Sequence, residues 1–532
     1  MGIINRHLRL TRNVVHIALL LLFVFLFLQT QYTGEDNLKY PVNLFLRLDP
    51  FLALTSWIAA REMIDLFFIS FYIVGLTLLL GRVWCGWICP MGTMIDILHK
   101  MFFKRAKRLV DSEKFRNVKY YLLFFLLLTS AFSLSLAGYF DPISILTRTF
   151  TLSIYPALNA LIENTLIAGY ASDIKWLSSI SDSSYAVMKE WFLAFEQPVY
   201  YLNFFTFFIF FLIIFLERYE KRFWCKNLCP TGALLSLLSP FSLIKRKPIQ
   251  QCADCEKGCN ENCKIALFSG EKQKDYLKKE CLYCFDCIEK CENQRVEFSF
   301  GIGKETKKGV DLTRRGLITS LTAGAVAYPL LRINPMSIED RMPPRFIRPP
   351  GFKDEKDFLA RCERCGECMR VCIKNAIQPA FMESGLEGMW TPRMDMRIGY
   401  CEYDCTLCGQ TCPSQALKKL TTEEKHKFVI GKARFDKDRC IPYEKGIDCL
   451  VCQEHCPTQP DKAIKFKDEL VTGEDGVERT IKMPYVDDEL CIGCGICENK
   501  CPLEKQGGIL VFNQKKIIKE GFFVSSPSSS IY

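Results

Sequence analysis

Cys362-Glu363-Arg364-Cys365-Gly366-Glu367-Cys368-Met369-Arg370-Val371-Cys372 sets four thiols at steps of three, three and four residues. Steps this short turn several thiolates toward one centre. The glycine beside the middle cysteines lets the backbone curl, so that its N–H groups can approach the sulfurs. Downstream the pattern returns three times, as Cys401, Cys405, Cys408, Cys412; Cys440, Cys449, Cys452, Cys456; and Cys491, Cys494, Cys497, Cys501, the last with Gly495 in the place of Gly366. The inner two are stretched, one by a residue and one by a loop between Cys440 and Cys449. Upstream lie two more quartets: Cys252, Cys255, Cys259, Cys263, then Cys281, Cys284, Cys287, Cys291. The remaining four of the 28 cysteines sit in two Cys-x3-Cys-Pro segments, so the set resolves without remainder.

Tandem quartets on this spacing suit cubane iron–sulfur clusters. A secreted disulfide scaffold scatters its cysteines through a short chain. Structural zinc prefers two Cys-x2-Cys knuckles set well apart, often with histidine, and this chain has five histidines in 532 residues. No Cys-x2-Cys-His occurs, which excludes covalent c-type haem. Six 4Fe–4S clusters are therefore expected. In the bacterial ferredoxin arrangement three close thiolates hold one cubane and the fourth ligates its partner. By that rule Cys252, Cys255 and Cys259 join Cys291, and Cys281, Cys284 and Cys287 join Cys263.

The average composition, 49% hydrophobic and 24% charged, hides two unlike halves. Before about residue 240, four runs approach the roughly 20 apolar residues that cross a bilayer: residues 13–30, 63–80, 120–136 and 199–216. The first follows Arg6, Arg9 and Arg12 with no small-residue cleavage site after it, and reads as an uncleaved anchor. Residues 81–119 are dense in Lys and Arg, whereas 137–198 are acidic on balance. The basic side is the cytoplasm, which also accounts for the net charge of +10; no nucleic-acid motif is present. Thr313-Arg314-Arg315-Gly316-Leu317-Ile318 then precedes a weakly apolar run, 319–331, which resembles a twin-arginine-type export segment and fifth span; the plainer alternatives are that the two arginines only mark the cytoplasmic end of a fifth helix or that the run lies on the surface. Pro343, Pro344, Pro349 and Pro350 read as a stiff linker.

Trp84-Cys85-Gly86-Trp87-Ile88-Cys89-Pro90-Met91-Gly92 and Trp224-Cys225-Lys226-Asn227-Leu228-Cys229-Pro230-Thr231-Gly232 repeat their Trp, both Cys, Pro and Gly in register, a sign of internal duplication. The spacing by four places each cysteine pair on one helix face, with proline in the first turn of the next helix. Three readings stand side by side: a further iron–sulfur or other thiophilic metal centre, redox-active dithiols, and buried thiols packed around a quinone pocket. His16 and His99 are candidate proton acceptors for that quinone, as is Asp65.

The fold expected is an α-helical membrane bundle, four spans plus a fifth of twin-arginine type, with two small α+β ferredoxin-like domains. The expected boundaries are 1–240 for the bundle, 241–310 for a cytoplasmic two-cluster module and 311–350 for the export segment and linker. A four-cluster domain over 351–515 and a flexible tail over 516–532 complete the chain.

The first 310 residues resemble the NapH-type membrane ferredoxins. The remainder, from about Thr313 to Phe512, is similar to the exported NapG and MauM-type ferredoxins, on the strength of the twin-arginine segment, Arg348-Pro349-Pro350-Gly351, Phe358-Leu359-Ala360-Arg361-Cys362-Glu363-Arg364-Cys365 and Gly399-Tyr400-Cys401. The chain looks like a fusion of the two. That resemblance implies an inner-membrane protein passing electrons from quinol to a periplasmic redox partner, with its last domain outside. It also implies that the first exported quartet interleaves with the fourth and the second with the third. Cys501 then completes the site of Cys362, Cys365 and Cys368, Cys456 that of Cys401, Cys405 and Cys408, Cys372 that of Cys491, Cys494 and Cys497, and Cys412 that of Cys440, Cys449 and Cys452. Two other functions fit the same motifs, an accessory factor for metalloenzyme assembly or metal reduction and a redox sensor. No flavin, molybdenum or nucleotide motif points to terminal chemistry.

Overall fold

A computed structural model describes residues 2–103, 115–172, 174–248, 263–265, 268–269, 275–276, 278–289, 296–300, 313–331, 342–472 and 478–514. Cys252, Cys255, Cys259 and Cys291 lie outside the described residues, as do the most basic stretch, 104–114, and the tail.

The first helix, Gly2–Leu28, is the ruler of the molecule. Its segment Leu10–Leu28 is, among the described residues, the one helix long and apolar enough to cross a membrane. The other expected spans are helices of smaller extent: Ser70–Leu80, Val118–Ala131 and Asn203–Phe215. Each is cut by local backbone geometry. Gly81 turns to φ 82° after the first of these, Ser133 to φ 57° after the second, and Leu202 at φ 60° opens the third. One further apolar helix, Pro50–Ala60, escapes a hydropathy reading because Asp49, Thr55 and Ser56 interrupt the run. Asp49 caps it, accepting from the Phe51 and Leu52 amides at 2.8 and 3.3 Å, and Thr55 returns its hydroxyl to the Phe51 carbonyl at 2.8 Å. Asp49 Oδ1 and the Thr55 hydroxyl are thereby satisfied inside an apolar core. Helix Arg314–Leu331 runs alongside Val118–Ala131 in the same direction, with Gly316 against Tyr121 and Gly324 against Leu128.

The ferredoxin-like parts dock at opposite ends of this helical module. Near its start the first helix donates from Arg12 Nε to the Gly86 carbonyl at 3.0 Å. Fifteen residues on, about 22 Å at 1.5 Å per residue, Phe27 lies under the Arg370 guanidinium at 5.3 Å. At the Gly86 end, Glu280 pairs with Arg82 at 2.6 Å and Lys119 at 2.5 Å, and Trp87 Nε1 donates to the Tyr283 carbonyl at 2.9 Å. At the other end, Arg148 donates to the Arg364 carbonyl at 3.0 Å, Trp390 to Thr206 at 2.9 Å and Asn43 to the Thr411 carbonyl at 2.7 Å.

The C-terminal domain is α+β with small antiparallel pairs: Ile377–Pro379 with Pro392–Met394, Lys432–Phe435 with Ile509–Phe512, and the hairpin Ile464–Thr472/Glu478–Val486. Its start corrects one expectation. The Pro-rich segment is packed, not a spacer. Arg348 is buried and donates to Glu355, Thr391 and the Pro392 carbonyl. Its guanidinium lies between the rings of Phe346 and Phe358.

Candidate iron–sulfur centres

In the C-terminal domain each cysteine triplet leads into one short helix: Glu367–Arg370, Leu407–Thr411, Val451–Glu454 and Ile496–Lys500. Gly366 and Gly495 cap the first and last in the left-handed region, φ 85° and 82°, as the sequence led us to expect. The helix carries the fourth cysteine of its quartet away from its own triplet. Cys412 lies close enough to act on the ionisation of Cys362, Cys365 and Cys368. Cys372 does the same for Cys405 and Cys408, Cys501 for Cys440, and Cys456 for Cys491, Cys494 and Cys497.

Partners are therefore exchanged first with second and third with fourth. The first-with-fourth pairing implied by the resemblance is overturned. The reason is local: adjacent triplets fold back to back, so each departing helix reaches its sequence neighbour. The four sites also touch in a row. Cys408 acts on Cys368, the Cys401 amide donates to the Cys494 carbonyl at 2.8 Å, and Cys452 acts on Cys497. The order is the 362 site, the 401 site, the 491 site and the 440 site.

These sites fit a body of several irons. The described cysteines are all free of disulfides. Cys440, Cys449, Cys452 and Cys501 line one small apolar cavity with Phe435, Ile441, Pro484 and Ile509. Backbone amides point at sulfur: Gly508 N to Cys501 at 3.2 Å, Ala433 N to Cys491 and Leu417 N to Cys412 both at 3.5 Å. Burial pushes the Cys494 and Cys452 thiols up to about 12 and Cys362 to about 11. Thiolates there need the compensating charge of bound metal. In the other ferredoxin module Cys263 lies near Cys284, as the bacterial rule requires of that site.

The two Cys-x3-Cys-Pro segments meet. Beyond the effect of burial, Cys85 and Cys225 lie close enough to push up the Cys89 and Cys229 thiols, Cys89 acts likewise on Cys229, and Cys85 on Cys225. They do not share one helix face, which corrects the spacing argument. Trp84 and Trp224 each close a wide turn by accepting from the Cys89 and Cys229 amides at 2.8 and 3.0 Å. The chain then extends at each second cysteine, and Pro90 and Pro230 start new helices, Pro90–Phe102 and Pro230–Leu238. Two helix N-termini thus aim their positive ends at one thiol quartet, and the Gly232 amide donates to Cys229 Sγ at 3.3 Å.

Sequence reading missed two residues here. Arg82 and Arg222, each three positions before a first cysteine, are both buried. Arg82 Nη2 stands 3.8 Å from Cys85 Sγ. Arg222 donates to the Cys85 carbonyl at 2.9 Å and to Asp96. Their matching places in the repeat were the available signal. His16 and His99 lie at this same end. The His16 carbonyl accepts from Thr93, and His99 Nδ1 stands 3.7 Å from Glu217.

Fold and thiol geometry together define an iron–sulfur protein of the ferredoxin type, built to transfer electrons. Comparison with known proteins agrees. A 4Fe-4S binding domain family matches residues 63–109 and 201–248, each enclosing one Cys-x3-Cys-Pro segment, and another 4Fe-4S binding domain family matches residues 484–504. The methylamine utilization ferredoxin-type protein MauM of Methylorubrum extorquens is 34% identical over 160 residues, 30% of this chain and 68% of that protein. The ferredoxin-type protein NapG of Escherichia coli is also 34% identical over 160 residues, covering 30% and 67%. NapF of Escherichia coli is 31% identical over 158 residues, covering 30% and 80%. Through this segment the chain belongs to the family of ferredoxin-type proteins that includes MauM, NapG and NapF. It spans 56% of the NapG of Haemophilus influenzae. No solved structure matches the chain.

Proposed function

We propose that this chain is a membrane-embedded polyferredoxin that takes electrons from quinol and delivers them to a periplasmic redox protein. The observation that carries the reading is the unbroken sequence of thiol sites. One hydrophobic core contains Cys281, Cys85, Cys89, Cys229 and Cys365, and from Cys365 the row continues through the 401, 491 and 440 sites. The Cys-x3-Cys-Pro quartet belongs to that core beside the Cys281 module, and would hold a seventh iron–sulfur centre between the two ferredoxin parts. When bound, the clusters supply one-electron redox steps. The protein's share is to hold 24 cysteines in six quartets, to seal them from water and to aim amides at sulfur.

The division into a membrane bundle, an inner two-cluster module and an outer four-cluster domain belongs to the same reading, as does the NapH-like origin of the first part. Support for the sidedness comes from helix Arg314–Leu331. It lies parallel to Val118–Ala131, beginning beside Tyr121 near the Glu280 end, and carries the chain toward the end where the C-terminal domain docks. Exposed Ile318 and Val326 suit a helix facing lipid.

An anaerobic quinol titration followed by electron paramagnetic resonance tests the proposal. Quinol should reduce the clusters, with about 28 irons per chain for seven cubanes of four. Clusters that respond to dithionite but stay oxidised with quinol would sink it.

A further inference from the structure

A cavity of about 580 Å³ opens between the end of the first helix, the segment around residues 191–200 and the C-terminal domain. That volume suits a quinone head group, since small-molecule sites run from roughly 300 to 1,000 Å³. Cys372, the thiol shared with Cys405 and Cys408, is part of its wall.

The wall is rigid and aromatic. Behind it the Arg370 guanidinium stacks on Tyr155 at 3.8 Å, and Asn375 Nδ2 donates to the Val199 carbonyl at 2.8 Å, which fixes the backbone on both sides of Cys372. Tyr32, Tyr40, Trp191 and Phe195 line the same cavity and suit a planar ring.

Access to the cavity is lipophilic. Helix Lys175–Trp191 exposes Trp176, Ile180, Val187 and Trp191, which recur at steps of four, seven and four and so share one face. Such an apolar stripe suits a helix lying at a membrane interface. It ends at the cavity, where Trp191 and Phe195, the latter 71% exposed, line the wall.

We infer that this cavity is the quinol-oxidising site, with Tyr32, Tyr40, Trp191 and Phe195 holding the quinol ring against the wall that contains Cys372. The inference rests on quinol being the electron donor. It places the site at the C-terminal-domain end of the first helix, away from His16 and His99. Oxidation breaks the two O–H bonds of the quinol and frees two electrons and two protons. An iron–sulfur centre held by Cys372, Cys401, Cys405 and Cys408 would take the electrons one at a time, and the neighbouring 362 and 491 thiol sites would hold centres able to take the first before the second arrives. Both protons leave to water at the mouth, where Lys39, Lys189 and Glu196 stand.

The test uses the full, cluster-loaded chain in liposomes under anaerobic conditions, reduced by menadiol and ubiquinol-1, with dithionite as control. Ala194→Trp, which fills the cavity, should slow bleaching by both quinols roughly tenfold or more while dithionite reduction is unchanged. Phe195→Ala, at an exposed position, should raise the quinol KM roughly tenfold, the worth of one aromatic contact. An azidoquinone should photolabel the peptide around residues 189–200 in wild type and not in Ala194→Trp. Wild-type quinol kinetics in both variants, with labelling elsewhere, overturn the site and leave quinol as donor. Wild-type clusters that quinol does not reduce overturn both.

Discussion

Glu280 concentrates the electrostatics of one docking face in a single side chain. It is 3% exposed and meets Arg82, Lys119, Tyr120 and Ser236. Burial alone would raise its pKa, but the two cations outweigh burial and hold the carboxyl below the usual range. Its contribution is therefore complete above the ordinary glutamate value, about 4.3, and fades only as pH falls through the lowered one. Glu280→Gln leaves two buried cations without a counter-charge. We expect a loss of roughly 3–5 kcal/mol, read as a lower melting temperature of the clustered protein at neutral pH. Cysteine exchange can be tested at the same scale. Cys362→Ala and Cys412→Ala should each cost about four irons per chain, and the double variant also about four, because both act on one cubane. A loss of about eight in the double variant would restore the first-with-fourth pairing.

Between elements, two glycines mark where backbones come closest. A Cβ on Gly86 would stand 2.1 Å from the Leu282 carbonyl oxygen, and one on Gly138 2.0 Å from that of Glu363. Neither contact can yield without moving a main chain, so alanine at each should undock one ferredoxin part and leave the other in place. Limited proteolysis reads this directly. Gly86→Ala should expose the segment around Tyr283 to cleavage, and Gly138→Ala the segment around Arg364. The helices carry a related lesson. The span expected over residues 63–80 was visible as a run of apolar residues, yet it ends at Gly81 because Tyr283 presses its ring against that turn. A partner distant in sequence sets the helix boundary. Pro50–Ala60 went unseen for the converse reason. Asp49, Thr55 and Ser56 look like surface in a linear reading, and hydrogen bonds or a docked Glu363 make them interior.

For the whole molecule, the decisive quantity is the number of iron–sulfur centres and their continuity. Replacing Cys225 and Cys229 together by alanine should lower iron from about 28 to about 24 per chain. Electron passage between the two ferredoxin parts should stop while quinol still reduces the outer four centres. Rapid-freeze paramagnetic resonance separates these outcomes. Thiol spacing alone established that this is an iron–sulfur protein with six quartets, because steps of three and four residues suffice to gather ligands around a small inorganic body. Apolar runs likewise separated an apolar first half from a polar second half. Which fourth cysteine serves which triplet, the meeting of the two Cys-x3-Cys-Pro segments beside Arg82 and Arg222, and the cavity behind Cys372 were decided only in three dimensions. Each joins residues whose separation along the chain carries no record of contact, and only helix packing brings them within reach.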